Sequence, residues 1–157
     1  MASLHMFEAV TAAGALFLSG TISGVSMLAI PVALDTAKTQ TALLEQWRTI
    51  YLNGHIKGPA IAVTVGTAMA VIAGLKYQDG ADARTSVVAA IATAGIVPYT
   101  WIVMNKVNRT LHSLAAGAGS EATDAGKLVV TWSRMNAVRG ALPLVGGLVS
   151  LWGIISS

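Results

Sequence analysis

The sequence contains no cysteine. Disulfide scaffolds, thiolate metal centres, iron–sulfur clusters and S-palmitoylation are therefore excluded. Charge is scarce too: Asp, Glu, Lys and Arg make up 11% of the 157 residues, against roughly 25% in a soluble domain. The seven acidic residues are scattered, so there is no carboxylate cluster of the ferritin type to hold iron or manganese. No glycine-rich phosphate loop follows a strand-like run. A net charge of +3 without a basic surface stripe argues against a nucleic-acid partner. What is plentiful is apolar sequence, 54% of residues with a mean hydropathy of +0.66. That balance is membrane-grade.

Four windows match the roughly 17–25 apolar residues that cross a bilayer: about 7–34, 59–75, 85–104 and 138–155. The first carries no charge over residues 9–34, too long for a signal-peptide core of roughly 7–15 residues, and no basic segment precedes it. The Met-Ala start excludes N-myristoylation. The second window is short, so Lys76 and Tyr77 are expected to snorkel or sit at the interface. Pro31 and Pro98 are expected to kink their helices, and Arg139 with Pro143 marks a kink or wet pocket in the fourth. Gly20-x-x-x-Gly24 lets helices approach closely; packing within the bundle is the expected use, with a homo-oligomer seam the alternative.

The connections are unequal. Residues 76–84 form a short, charge-balanced turn, whereas 35–58 and 105–139 hold eight of the ten basic residues. The positive-inside rule puts those two long loops in the cytosol and both termini opposite, with Asn108-Arg109-Thr110 an unmodified sequon. The host membrane is expected to be the endoplasmic reticulum or another endomembrane in a fungus, or the plasma membrane in a bacterium. Within 41–54, Leu43, Leu44, Trp47, Ile50 and Tyr51 recur at helical intervals up to Gly54, and Gly58-Pro59 restarts the chain. The third span is expected to run to about Ala115. After a glycine-rich turn, Ser120 with Glu121 and Asp124 predicts a capped start to a helix running unbroken through Trp132 and Asn136. The expected fold class is all-α. It is a four-transmembrane-helix bundle, one integral membrane domain over 1–157, with helical extensions and a helical loop on one membrane side.

Three polar faces emerge on that side. Asn105, Asn108, Arg109 and His112 follow i, i+3, i+4, i+7 spacing; Trp47, Tyr51 and His55, beside Arg48, follow i, i+4, i+8; Trp132, Asn136 and Arg139 follow i, i+4, i+7. Singly, each has a bland explanation. Aromatic residues anchor at interfaces, arginines meet headgroups, amides bond across helices and loop histidines are solvated. Jointly they converge on one interfacial cavity. Arginines there stabilise a phenolate or enolate, indole, phenol and proline surfaces (Pro59 included) hold a flat ring, and histidine takes a proton near neutral pH. Such a site suits proton abstraction from an acidic, planar molecule.

The segments QWRTIYLNGHIKGP, VPYTWIVMNKVNRTL and WSRMNAVRGALPL, in this order and spacing, resemble the anthrone oxygenase-like family of small four-span membrane proteins. The resemblance implies a cofactor-independent oxygenase that oxidises an anthrone, such as emodin anthrone, to the anthraquinone, with molecular oxygen as co-substrate and no metal. It implies a planar aromatic polyketide and the lipid bilayer as partners. On that reading His55 is the preferred general base and His112 the second candidate. Asn105, Asn108, Asn136, Arg109 and Arg139 stabilise the oxyanion and the developing superoxide or peroxide, while Trp47, Tyr51 and Trp132, with Arg48 and Pro59 adjoining, embrace the rings. Two rival readings remain at this point: a non-enzymatic small-molecule carrier or assembly module, and a haem protein ligated by His55 and His112.

Overall fold

The computed structural model describes residues 2–118 and 124–156. Every regular element among them is helical. α1 (Ala2–Gly24) passes through a π turn, Val25–Ala29, into α2 (Ile30–Thr36). α3 (Gln40–Gly54), capped by the Thr39 hydroxyl accepting from the Ala42 N–H, is separated from α4 (Lys57–Gln78) by only two residues. α5 (Arg84–Ala94), α6 (Ile96–Tyr99), a second π turn (Thr100–Met104) and α7 (Asn105–Ala115) form one long rod, and α8 (Ala125–Ile155) closes the bundle. Four helices are long and apolar enough to cross a membrane: Ser3–Thr36, Gln40–Gln78, Arg84–Ala115 and Ala125–Ile155. At 32 residues the third is about 48 Å long, against a hydrocarbon core of about 30 Å. Its polar part, α7, is the portion that extends past the apolar window.

α8 is the central element, packed mainly on α1 and α5, while α4 leans on α5 and α1. Glycine sets these distances. A Cβ on Gly140 would lie 2.7 Å from the Ser23 Oγ, and one on Gly147 would lie 2.7 Å from Leu16. At Gly146 it would collide with the Thr93 hydroxyl and the Ala89 carbonyl. By contrast, no heavy atom lies within 4 Å of a Cβ built on Gly20 or Gly24. The close approach expected of the Gly20-x-x-x-Gly24 stretch is made by the glycines of α8 instead. Large apolar side chains such as Phe17, Met27, Leu28, Ile91 and Ile102 point outward, as lipid-facing side chains do.

The structure bears on three sequence expectations. Lys76 does not snorkel: it is buried and ion-paired with Glu8 of α1, because a carboxylate across the helix contact meets its charge better than a stretch to the surface. Pro31 and Pro98 sit beside the two π turns, where the missing proline N–H leaves the helical ladder free to widen. Asp124 is the cap of α8, its Oδ1 accepting from the Lys127 N–H at 3.1 Å; Ser120 and Glu121 lie outside the described residues. Two hydrogen bonds from Lys127, backbone and side chain, hold the exposed Asp124 carboxyl below its ordinary value.

Candidate functional site

α3, α7 and α8 meet at one end of the bundle around a single apolar cluster that contains Trp47, Met104, Leu111, Val129 and Trp132. Each supplies an aromatic or imidazole ring. Trp47 lies edge-on to Trp132 (centroids 5.9 Å, 88°) and to His112 (5.0 Å, 64°). Tyr51 sits edge-on to His112 at 4.6 Å and stacks on His55 at 5.3 Å and 11°. α3 ends at Gly54, yet His55 keeps helical backbone angles, so its ring still falls over Tyr51 one turn back. The rings assigned to embrace a ligand thus pack on one another, with Trp47 fully buried and Trp132 nearly so.

Polar groups thread this cluster. The Trp132 indole N–H donates to Asn108 Oδ1 at 2.8 Å, tying α7 to α8. One turn further along α8, Asn136 is fully buried and its amide donates to the Ile22 carbonyl (2.9 Å) and to Ser26 Oγ (2.8 Å). Ser26 in turn donates to the Ser133 carbonyl at 3.0 Å. On the next turn Arg139 is half-buried, its Nη1 3.5 Å from Thr100 Oγ1. Tyr99 itself donates to the Met135 carbonyl at 3.3 Å. Ser26 and Thr100 each belong to a π turn, a widening that recurs at functional sites.

Three buried polar atoms here have no hydrogen-bond partner among the described residues: the Trp47 Nε1, the Asn136 Oδ1 and the Arg139 Nε. Buried polar groups are nearly always satisfied, so these two donors and one acceptor are exceptions concentrated in one part of the fold. The imidazoles stand close by. His55 is exposed and its Nδ1 lies 3.0 Å from the Leu52 carbonyl, which accepts only from a protonated Nδ1. The Nε2 of a neutral His55 is then free to accept a proton. His112, on the polar extension, is half-buried, and its pKa is lowered, first by that burial and then by the positive charges of Arg48 and His55.

The remaining candidates lie elsewhere. Asn105 and Arg109 are exposed and flank Trp101 and Lys106 on the outer side of α7, so the four-residue face splits: Asn108 and His112 turn inward, Asn105 and Arg109 outward. Arg48 is exposed beside the cluster, and Pro59 is half-buried in the first turn of α4. Sequence spacing missed Ser26, Thr100 and Tyr99. The nearby prolines, Pro31 and Pro98, are the signal that could have pointed to the first two.

Comparison with known proteins follows the same lines. Residues 47–149 match the anthrone oxygenase family, a stretch holding Trp47 through Arg139 and thus every ring and amide of the cluster. The chain is 37% identical over 147 residues to a monooxygenase, hypC, of Dothistroma septosporum, covering 89% of this chain and 80% of that protein. It is 33% identical to the anthrone oxygenase tpcL of Aspergillus fumigatus, covering 98% and 96% of the two chains. It is 32% identical to the noranthrone monooxygenase of Aspergillus flavus, covering 88% and 68%. No solved structure matches the chain. On the extent of the family match and the near full-length likeness to these enzymes, the chain belongs to the anthrone oxygenase family and is an oxidoreductase of the monooxygenase type.

Proposed function

We propose that this protein oxidises an anthrone to the corresponding anthraquinone with molecular oxygen, without a metal or organic cofactor. The observation that carries this reading is the set of unpartnered buried donors, Trp47 Nε1 and Arg139 Nε, beside a ring cluster that includes two imidazoles. The relatives named for anthrone or noranthrone oxidation supply the substrate class.

The chemistry asks little of the protein. Loss of a proton from the C10 methylene of an anthrone leaves an anion that is an aromatic phenolate, so the carbon acid is unusually easy to ionise. His55 Nε2 takes that proton. Trp47 Nε1 and the Arg139 guanidinium stabilise the oxyanion, as preorganised donors do for charge that develops during reaction. The carbanion passes one electron to O2, the radical pair combines to a hydroperoxide at C10, and the proton returns to the peroxide. Loss of water gives the quinone. One oxygen atom enters the product and the other leaves in water, with all four electrons supplied by the C10 methylene, so no external reductant is required. A ring molecule reaches the rings by opening the contact of α3 with α7 and α8, and its apolar body suits entry from the bilayer. Asn108 and Asn136 act through position: they fix Trp132 and the α1–α8 contact that frame the site.

The test is oxygen uptake by purified, metal-stripped protein with emodin anthrone, admitted to air after anaerobic mixing under 18O2. One labelled oxygen per quinone and rates unaffected by chelators are expected. A rate no faster than the spontaneous oxidation overturns the reading. Dependence on an added metal or flavin overturns its cofactor-free part.

A further inference from the structure

The end of the bundle opposite the aromatic cluster is also built around charge. Glu8 of α1 and Lys76 of α4 form a buried ion pair, and the Ser86 hydroxyl of α5 donates to the same carboxylate oxygen, Glu8 Oε1, at 3.2 Å. Glu8 Oε2 is buried without a partner among the described residues. Ionisable groups buried in a membrane bundle are costly to keep and mark sites more often than scaffolding. Here Lys76 of the pair lines a cavity of about 990 Å³, whose walls also hold Leu4, His5, Phe7, Leu75, Asp79 and Asp82. That is the upper end of the 300–1,000 Å³ typical of small-molecule sites.

We propose that this cavity is a second binding site, for a neutral aromatic ketone bearing hydroxyl groups, whose carbonyl oxygen accepts from Lys76. An ammonium has three N–H donors and no acceptor capacity. One donor is engaged by Glu8, and Lys76 still lines the cavity, so its complement is an oxygen acceptor. The apolar wall of Leu4, Phe7 and Leu75 takes the ring body. Asp79 and Asp82 oppose an anionic ligand such as a carboxylate or phosphate and accept from hydroxyls. Glu8 is a positioning residue: it fixes the Lys76 ammonium and offsets its charge. A neutral carbonyl is thereby favoured over a full anion. The ligand class is drawn from the function proposed above, but the site rests on different residues and its test needs no turnover.

The probe is 1,8-dihydroxyanthraquinone, titrated by its visible absorbance and by tryptophan quenching into full-length protein in phosphatidylcholine nanodiscs, with protein-free discs subtracted. Two variants report on the site separately. Glu8→Leu with Lys76→Met removes both charges together, leaving no lone charge, and Leu4→Trp crowds the apolar wall while keeping both charges. Each is expected to weaken binding at least tenfold, and decanoate is expected not to displace the quinone. Should the double variant fail to fold, Leu4→Trp alone decides. Unchanged affinity in the folded variants overturns the proposal, as does full displacement by decanoate, which would make this an anion site. Binding that these changes spare but Trp132→Ala abolishes also overturns it by locating the quinone at the aromatic end. Probe binding with no anthrone-dependent oxygen uptake would overturn the proposed function and leave this site standing.

Discussion

His55 lies flat on Tyr51, ring centroids 5.3 Å apart and planes 11° from parallel, with its Nδ1 held 3.0 Å from the Leu52 carbonyl. The stack and the carbonyl together orient one nitrogen inward to the chain and leave the other free. Replacing His55 by Gln keeps a polar side chain but removes the base. Oxygen uptake with emodin anthrone should fall by about 10²- to 10⁴-fold in kcat, the usual worth of a positioned base, while Tyr51→Phe retains the stack and most of the rate. Full turnover by His55→Gln would remove His55 from the reaction and leave His112 to be tested.

His112 gives a pH signature. Burial and the charges of Arg48 and His55 lower its pKa, so the unfolded chain protonates this imidazole before the folded one does. Its contribution to stability is present above the ordinary imidazole value, roughly 6.5, and is lost as pH falls from that value through the lower folded-state one. NMR titration should place the His112 inflection below the ordinary value, and Arg48→Ala should move it upward. An inflection unmoved by Arg48→Ala would mean that the arginine's charge does not reach the ring.

The Trp132–Asn108 hydrogen bond should be worth more in stability than its single contact suggests. Trp132→Phe keeps the apolar packing but strands a buried Asn108 Oδ1, a loss of about 1–3 kcal/mol. Combining it with Asn108→Leu should recover part of that loss, because neither partner is then left unsatisfied. Thermal unfolding in detergent reads both. A purely additive double variant would show that the two groups do not act as a pair.

Glycine substitutions should separate the two small-residue faces. Gly146→Ala forces a Cβ against the Thr93 hydroxyl and the Ala89 carbonyl and should cost about 1–3 kcal/mol. Gly24→Ala meets nothing within 4 Å and should stay within about 0.5 kcal/mol of the unmodified chain. Relative unfolding temperatures test the pair directly; a large loss at Gly24 would indicate that its face is covered by something outside this chain.

Much of the fold was readable because hydropathy and helix punctuation are local properties. The four apolar windows fall inside the four long helices, α3 stops at Gly54, and α7 ends at Ala115 as its periodicity implies. The meeting of Trp47, Tyr51, His55, His112 and Trp132 was legible for the same reason: each follows from helical spacing at one end of a span. What escaped depends on contacts between distant residues. Nothing near Lys76 in sequence announces Glu8, 68 positions earlier, so a charge at a span's edge reads as snorkelling until the partner is seen. Likewise spacing alone could not tell that Arg109 turns outward while Asn108, its neighbour, turns to Trp132.

The π turn at Thr100–Met104 is what fixes that choice. A π turn contains one residue more than the α turn it replaces, and one residue is about 100° of rotation along an α-helix. The surface that α7 presents to Trp132 is therefore set by chain length above it as much as by the side chains it carries. Removing a single residue from that turn would swivel α7 about its axis and carry Asn108 away from the indole, although Asn105, Asn108 and Arg109 would keep their spacing to one another. Among relatives, the spacing between Pro98 and Asn105 consequently carries information that residue identity does not: two chains can both carry the Asn-x-x-Asn-Arg pattern of α7 and aim it at different partners.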